Sequence, residues 1–153
     1  MSPTLQISPA TEADLPGLVA LYRHLSPADP PPPPERAMDS FRRFLMYRDS
    51  AILIGTLGTA PVASCTLVVI PNLTRSATPY ALIENVVTHA DHRNRGHGKA
   101  LLNAATRRAW AAGCYKVMLL TGSQDPATLH FYAAAGFAQT KTGFQIRLPV
   151  PTV

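Results

Sequence analysis

The sequence predicts an α+β layered domain, in which a meander of antiparallel strands leads into a strand-helix-strand-helix-strand arrangement. Two observations carry this prediction. Short runs rich in β-branched residues alternate with segments whose apolar residues repeat at helical spacing. The 153 residues, 46% hydrophobic and 15% charged, are about one domain long and can bury a core. We therefore expect a single domain over residues 1–153.

The chain begins with a strand and a helix. The segment "TLQIS" is a short strand candidate, and Thr11 is a suitable N-cap for a helix from about Glu12 to His24. The apolar residues of this helix fall on one side at helical spacing, namely Leu15, Leu18, Val19 and Leu21.

Five consecutive prolines, Pro30 to Pro34, interrupt the pattern and predict an extended polyproline II segment. A second helix carrying Met38, Phe41 and Leu45 follows it. The proline segment is either a rigid spacer or a wall over a substrate cleft.

Strand signals dominate the middle of the chain. The run "AILIGTLGTAPVASCTLVVI" predicts a hairpin turning at residues 58–61, and "YALIENVVTH" predicts another strand. "CYKVMLL" predicts a buried strand later in the chain. The two cysteines, Cys65 and Cys114, fall inside these runs, where a thiol usually behaves as a small hydrophobe.

Caps and glycines delimit two later helices. A helix is predicted from Gly98 to Ala112 and is ended by Gly113. Asp125 as N-cap and Pro126 at the first helical position open another helix, which runs through Ala135 and is ended by Gly136. "TGFQIRL" is predicted to close the sheet as a strand.

The turn "RNRGHGK" between a strand and a helix has the features of an anion site. Backbone N–H groups at a helix start carry partial positive charge, and glycines let the backbone approach a phosphate closely. A Walker A loop would require glycine at Arg93 and Ser or Thr at Ala100, and a dinucleotide fingerprint would require a small residue at Leu101. Both motifs are therefore excluded.

Arg93-x-x-Gly96-x-Gly98 after "IENVV", with "HFYAAAGF" some thirty residues later, resembles the GNAT superfamily of acyl-CoA-dependent N-acyltransferases over nearly the whole chain. The resemblance implies a three-layer α/β/α domain around a central mixed, mostly antiparallel sheet. It also implies acetyl-CoA (coenzyme A) as cosubstrate, with the pyrophosphate held by main-chain amides of the turn. The coenzyme contacts it implies are Arg93, Asn94, Arg95, Gly96, His97, Gly98, Lys99 and, on the later helix, Thr128.

The same resemblance implies roles for two strand residues. The main-chain N–H of Val86 would polarise the acetyl carbonyl, and Val87 would pair with the pantetheine arm like an added strand.

Within the superfamily, "GCYKVMLL", "FYAAAGF" and "GFQIRL" look most like the glucosamine-6-phosphate N-acetyltransferases. That likeness implies substrate contacts from Glu84, Asn85 and Arg147. The chain departs from it at Asn85, Leu120 and Thr128, where those enzymes typically carry Asp, Asp and Asn. We therefore expect the acceptor to be a small primary amine, and we keep two alternatives: an aminosugar phosphate, and the amine of a protein or peptide. A non-catalytic acyl-CoA sensor is the alternative outside enzymes.

Acetyl transfer by direct attack in a ternary complex needs a neutral amine, an oxyanion donor and a proton for the leaving thiolate. Glu84 is the candidate base, acting through water. The resemblance implies that Tyr132 protonates the thiolate, and a phenol with a pKa near 10 can donate at neutral pH. His130 is a possible second base or coenzyme neighbour.

Other features bound the partners. The net charge of +5 favours an anionic partner, but the basic residues form no continuous run with aromatic interleaving, so nucleic acid is not expected. No membrane segment is expected, and we predict a cytoplasmic protein, with a homodimer kept open. His89, His92 and His97 are expected to be solvated, and no metal is expected. Trp110 and Tyr115 are expected in the core or an interface.

Overall fold

The computed structural model describes residues 2–149. The chain divides after Leu119 into two compact units. The first contains a sheet of order β1-β2-β3-β4-β5. The regular elements are β1 (Leu5–Pro9), α1 (Leu15–Tyr22), α2 (Pro34–Leu45), β2 (Ala51–Leu57), β3 (Ala60–Ile70), the single turn α3 (Thr74–Ala77), β4 (Tyr80–Thr88), α4 (His97–Ala111), β5 (Val117–Leu119) and α5 (Pro126–Ala134).

The sheet is mixed and mostly antiparallel. β1, β2, β3 and β4 pair antiparallel in sequence order, and β5 joins the edge of β4 in parallel. The β2–β3 connection is the predicted hairpin, in which Gly58 has φ +60. A parallel partner needs a crossover, and α4 supplies it.

Helices α1 and α2 cover one face of the sheet. Leu15 of α1 and Phe41 of α2 pack with Ile54 of β2 in one buried cluster. The chain enters this layer through a capped turn, because the Thr11 N–H donates to Asp14 Oδ2 at 2.7 Å. A short 3₁₀ turn over Glu12–Asp14 precedes α1. The observed α-helix covers only Leu15–Tyr22, so it is shorter than the predicted helix from Glu12 to His24.

Helix α4 covers the opposite face. Side chains alternate along a strand, so Leu53 points away from the face that carries Ile54. Leu53 faces Cys65, and Leu67 faces Ile83, across the paired strands. These apolar side chains are buried, as are Leu101, Leu102, Ala105 and Ala109 of α4. The first unit thus has the expected three layers, with a sheet between two helical layers.

The proline segment ends one residue earlier than predicted. Pro34 is the first residue of α2 and not the last extended proline, because a first-turn position needs no backbone N–H. Pro33 keeps extended angles, with φ −53 and ψ 137.

Strand β5 is shorter than the predicted buried strand, because only Val117–Leu119 pair with β4. Cys114 lies before the strand and is nevertheless buried. Both thiols behave as the sequence indicated. Burial raises the pKa of Cys65 to about 12 and also raises the pKa of Cys114.

The second unit contains α5. The Asp125 side chain accepts a hydrogen bond from the Ala127 N–H at 3.0 Å, and Pro126 is the first helical residue, as predicted. Gly136 follows the helix with φ +95, a value that favours glycine.

The predicted last strand over "TGFQIRL" is wrong for this chain. Residues 138–149 have no regular secondary structure, and the side chains of Phe144, Ile146 and Leu148 are 95%, 98% and 91% exposed. A strand needs a neighbouring edge for its hydrogen bonds, and this segment pairs with none among residues 2–149. Among residues 2–149, none of the helices has the length and hydrophobicity that a membrane-spanning segment requires.

Candidate active site

A bulge in β4 carries the first candidate residues. Thr66 of β3 faces Glu84, but Ser64 faces Val87, so β4 has one extra residue over this stretch. Asn85 lies in this bulge and has φ 52. This is a left-handed conformation that asparagine adopts more readily than most residues. Bulges re-aim side chains beside active sites. Glu84 is half-buried here, and Asn85 is exposed.

The bulge coincides with an opening at the edge of β4. The parallel ladder with β5 runs only from Ala81 to Ile83. From Glu84 onward, β4 is paired on its β3 side alone among the described residues. The opening leaves backbone groups near Val86 and Val87 available to an extended ligand, which can pair with a strand edge as another strand does.

The turn before α4 presents a row of unpartnered backbone donors. No hydrogen bond from the N–H groups of residues 94–99 is found within the described part of the chain, whereas the Ala100 N–H donates to Gly96 O at 3.0 Å. Asn94 and Gly96 have φ 59 and φ 79, which bend the chain sharply into the helix. Successive N–H groups at a helix N-terminus form an anion cradle, so the structure fits a phosphate-bearing ligand here.

Arg93 holds this turn in place. Its guanidinium donates from Nε to Thr88 O and from Nη2 to His24 O, both at 3.2 Å. The side chain therefore ties the turn to the end of β4 and to the chain just after α1. The arginine supports the turn's position, while its neighbours supply the free N–H groups.

The histidines near the turn are not solvated as expected. The rings of His24 and His89 are 4.0 Å apart, and His89, His92 and His97 follow one another at 5.5 and 6.3 Å. They form a row of half-buried rings because α1 ends against the turn. Within residues 2–149, no group of three His, Cys, Asp or Glu side chains is arranged to hold a metal ion.

His24 has a lowered pKa. Burial is the largest cause, and the neighbouring His89 and Arg93 add positive charge that lowers the pKa further, while Asp91 raises it. His24 Nδ1 accepts a hydrogen bond from the Ala90 N–H at 3.3 Å, which requires that nitrogen to be unprotonated. The neutral His24 ring thus helps to hold the chain before the turn in place through this hydrogen bond.

A cavity of about 240 Å³ lies between the end of α1, the proline segment and the β4 bulge. Pro30, Pro31 and Pro32 form part of its wall, so the proline run borders a cavity. Asn85 reaches it from β4, and we call it the proline-walled cavity.

Tyr22 gives the proline-walled cavity a fixed aromatic wall. Its hydroxyl hydrogen-bonds to the side chains of Ser64 and Thr66. Ser64 already donates its only hydroxyl proton to Leu53 O at 2.9 Å, so Ser64 accepts from Tyr22, and Tyr22 in turn accepts from Thr66. Burial raises the pKa of Tyr22 more than these hydrogen bonds lower it, so the phenol stays protonated. Its hydroxyl is therefore engaged with two side chains of β3.

Two opposite charges also line the proline-walled cavity. Arg23 and Asp29 both contribute to its wall, and neither takes part in an ion pair within the described residues. A guanidinium binds phosphate or carboxylate, and a carboxylate binds an ammonium group. The cavity can therefore recognise a small molecule with charged substituents.

The remaining predicted residues lie in the second unit. Thr128 and Tyr132 are half-buried on α5, and His130 is exposed on the same helix. The Tyr132 ring lies 5.0 Å from the Phe131 ring and 6.5 Å from that of Phe137. Arg147 is exposed in the segment after α5. Their roles stay predictions.

Sequence reasoning missed Tyr22, Arg23 and Asp29. Tyr22 continues the buried face of α1, four residues after Leu18, and that spacing was a usable signal. Arg23 and Asp29 offered no signal, because isolated charged residues beside a loop are usually solvated.

Comparison with known proteins gives consistent results. Residues 18–137 match the Acetyltransferase (GNAT) family. The chain is 30% identical over 137 residues to the glucosamine 6-phosphate N-acetyltransferase of Trypanosoma brucei brucei, which covers 87% of this chain and 88% of that protein.

Solved structures agree with this match. A protein of Agrobacterium tumefaciens str. C58, designated a presumed acetyltransferase, is 48% identical with a TM-score of 0.89, covering 94% of this chain and 99% of that one. The glucosamine-6-phosphate N-acetyltransferase of Arabidopsis thaliana has a TM-score of 0.85 at 20% identity, covering 95% and 99% of the two chains, and shows the fold alone.

Proposed function

Because this chain belongs to the acetyltransferase (GNAT) family, we propose that it transfers an acetyl group from acetyl-CoA to the primary amine of a small molecule. The observation that carries the proposal is the row of unpartnered N–H groups over residues 94–99 at the start of α4. A pyrophosphate needs several donors with positive potential at one place, and these groups supply them.

Acetyl-CoA would bind with its pyrophosphate at the turn and its pantetheine arm along the open edge of β4. The arm would run beside Val86 and Val87, where the ladder with β5 has ended. When bound, the coenzyme supplies the activated thioester. Arg93 supports this binding because it fixes the turn against β4 and the end of α1.

In the proposed reaction, the amine nitrogen attacks the thioester carbonyl, forming the C–N bond as the C–S bond breaks. Glu84 takes the amine proton through a water molecule, and the Val86 N–H donates to the developing oxyanion. Tyr132 gives a proton to the departing thiolate, a role that rests on the family resemblance. The position of Glu84 next to Asn85, which lines the proline-walled cavity, supports its part in the reaction.

The acceptor amine would bind in the proline-walled cavity. At about 240 Å³, this cavity is smaller than a typical ligand pocket of roughly 300–1,000 Å³. Its size favours an acceptor with one ring or one amino-acid skeleton over a multi-ring amine or a folded protein surface.

An aminosugar phosphate is the second candidate acceptor. The similarity to the Trypanosoma brucei brucei enzyme favours it, and so does Arg23, whose guanidinium can bind a phosphate. Asn85 argues against direct transfer of that enzyme's specificity, because it stands where aminosugar enzymes typically carry Asp.

A cytoplasmic location and a homodimer stay predictions.

The test is release of free coenzyme A thiol from acetyl-CoA in the presence of candidate amines. Single-ring aminosugars with and without phosphate, amino acids, short peptides and multi-ring aminoglycosides are compared at equal concentration. We expect turnover on at least one small amine and much less on the multi-ring amines. If acetyl-CoA binds but no amine releases thiol, the chain is a sensor and the proposal is wrong.

A further inference from the structure

Glu84 and Thr66 lie side by side on the face of the sheet that α1 covers. They are directly opposite each other across β3 and β4, and such residues point to the same face with their Cβ atoms about 4.5–5.5 Å apart. At that separation a threonine hydroxyl can reach a carboxylate. Yet among residues 2–149 no hydrogen bond or ion pair to the Glu84 side chain is found.

The direction of the neighbouring hydrogen bonds explains why Thr66 does not donate to Glu84. The Leu53 carbonyl can only accept, so it uses the one hydroxyl proton of Ser64. Tyr22 must then donate to Ser64, and its oxygen accepts the proton of Thr66. Because Thr66 has a single hydroxyl proton, it cannot also donate to Glu84. The row of hydroxyl protons therefore runs away from the carboxylate and ends at a backbone carbonyl.

We propose that Tyr22 is a positioning residue for acetyl transfer, because its oxygen takes the Thr66 proton and so keeps a hydrogen-bond donor away from Glu84. A hydrogen bond to a carboxylate stabilises the charged form and makes it a weaker base. Without that bond, the oxygens of Glu84 stay available to the water that relays the amine proton. The inference rests on the proposed function, in which Glu84 is the base.

Other ionisable groups near Glu84 stay the same throughout the test. Arg23 and Asp29 line the proline-walled cavity together with Asn85, the residue after Glu84. Cys65 lies on the opposite face of β3, because side chains alternate along a strand. Since no variant below changes these groups, their influence on Glu84 cancels in each comparison.

The first measurement follows protonation of Glu84 in the full chain without coenzyme, through the ¹³C resonance of its carboxyl carbon. Tyr22→Phe keeps the ring and removes the acceptor, which frees the Thr66 proton to donate to Glu84. The Glu84 carboxylate should then take up its proton at a pH about one unit lower than in the parent. Tyr80→Phe is the matched control on a half-buried ring of β4 and should behave as the parent.

Thr66→Val separates this role from a packing role. It removes the donor with little change of shape, so Glu84 should titrate as in the parent. The double variant Tyr22→Phe/Thr66→Val has neither the acceptor nor the donor, and its titration should return to that of the parent. A packing role predicts the opposite, because loss of a second hydroxyl from the same row cannot repair a packing defect. Circular dichroism checks the fold of each variant.

Thiol release connects the titration to the reaction. In Tyr22→Phe, kcat should fall by about three- to tenfold, the acidic limb of the pH–rate profile should move to lower pH, and the double variant should recover both. The proposal is overturned if Glu84 titrates alike in Tyr22→Phe and the parent, or if the double variant stays with Tyr22→Phe. The expected titrations without any change in rate also overturn it, but in that case the hydroxyl order holds and the error lies in the proposed function, because Glu84 is not the base.

Discussion

Glu84 differs from the other acidic residues of the chain in where it lies. It sits beside a left-handed residue in a strand bulge, and its cross-strand partner Thr66 is bonded to Tyr22 of the cavity wall. Backbone irregularity of this kind persists where the surrounding structure holds it, and it clusters at functional sites. Glu84 is also the first β4 residue beyond the ladder with β5, and it precedes Asn85, which lines the proline-walled cavity.

If Glu84 relays the amine proton, Glu84→Gln should lower kcat by about 10²-fold at neutral pH, with partial recovery at higher pH where more of the amine is neutral. Acetyl-CoA affinity should hardly change. The control is Glu35→Gln on the exposed side of α2, which should keep full activity. A pH–rate profile with the same shape in the Glu84→Gln variant would assign Glu84 a positioning role instead.

Tyr132 is predicted to supply the thiolate proton, and Tyr132→Phe keeps the ring while it removes the hydroxyl. Turnover should fall by about 10- to 10³-fold with the fold and the acetyl-CoA affinity retained. Tyr47→Phe makes the same change on an exposed ring and should have no effect. Full turnover in the Tyr132→Phe variant, with chemistry shown to limit the rate, would leave solvent as the proton source.

At the scale of elements, the turn and the start of α4 act as one unit. The unpartnered N–H groups of residues 94–99 stay together at the start of α4 only while Gly96 keeps φ 79 and Arg93 keeps its two backbone contacts. The proline segment stabilises the wall of the proline-walled cavity. Proline has a restricted φ even in the unfolded chain, so ordering this segment costs little conformational entropy.

Gly96→Ala tests the turn. Left-handed φ costs a residue with a Cβ about 1–2 kcal/mol, so the variant should lose about that much stability. Gly113→Ala is a close control: it has φ +81, and its Cβ, like that of residue 96, would meet nothing within 4 Å. Both variants should be destabilised alike, but only Gly96→Ala should weaken acetyl-CoA binding, by at least about tenfold in calorimetry. Equal affinities in the two variants would contradict the assignment of the turn.

At the scale of the whole molecule, stability should fall in mild acid. His24 has a lower pKa in the folded chain than its ordinary value of 6.5. Between these two values the unfolded chain binds more protons, so the contribution of His24 to stability is complete above about pH 6.5 and is lost as pH falls through the folded pKa. His89, Arg93 and Asp91 are the charged groups beside it.

His24→Asn keeps an acceptor for the Ala90 N–H and removes the titrating ring. When the pH is lowered from about 7.5 to about 5.5, the Tm measured by calorimetry should fall less in this variant than in the parent. His130→Asn, on the exposed face of α5, is the control and should follow the parent. Parallel Tm curves for the parent and His24→Asn would show that other groups cause the acid sensitivity.

From the sequence alone one can predict the order of the main strands and helices as far as α5, the three-layer class, the family and the glycine turn before α4. These follow from local signals: apolar periodicity, the Asp125-Pro126 cap, and glycines at fixed offsets in residues 93–98 each restrict the backbone within a few residues of themselves. The strand containing Glu84 was predictable for the same reason.

The way in which distant residues meet depends on the tertiary fold. The Asn85 bulge depends on register with β3, the hydroxyl order of Tyr22 depends on Ser64 and Thr66, and the cavity joins Arg23 and Asp29 to a strand some sixty residues away. The segment 142–148 shows the limit most clearly. Its alternation is that of a strand, yet it forms none within the described chain, because a strand is stabilised by hydrogen bonds to a partner edge that its own sequence does not contain.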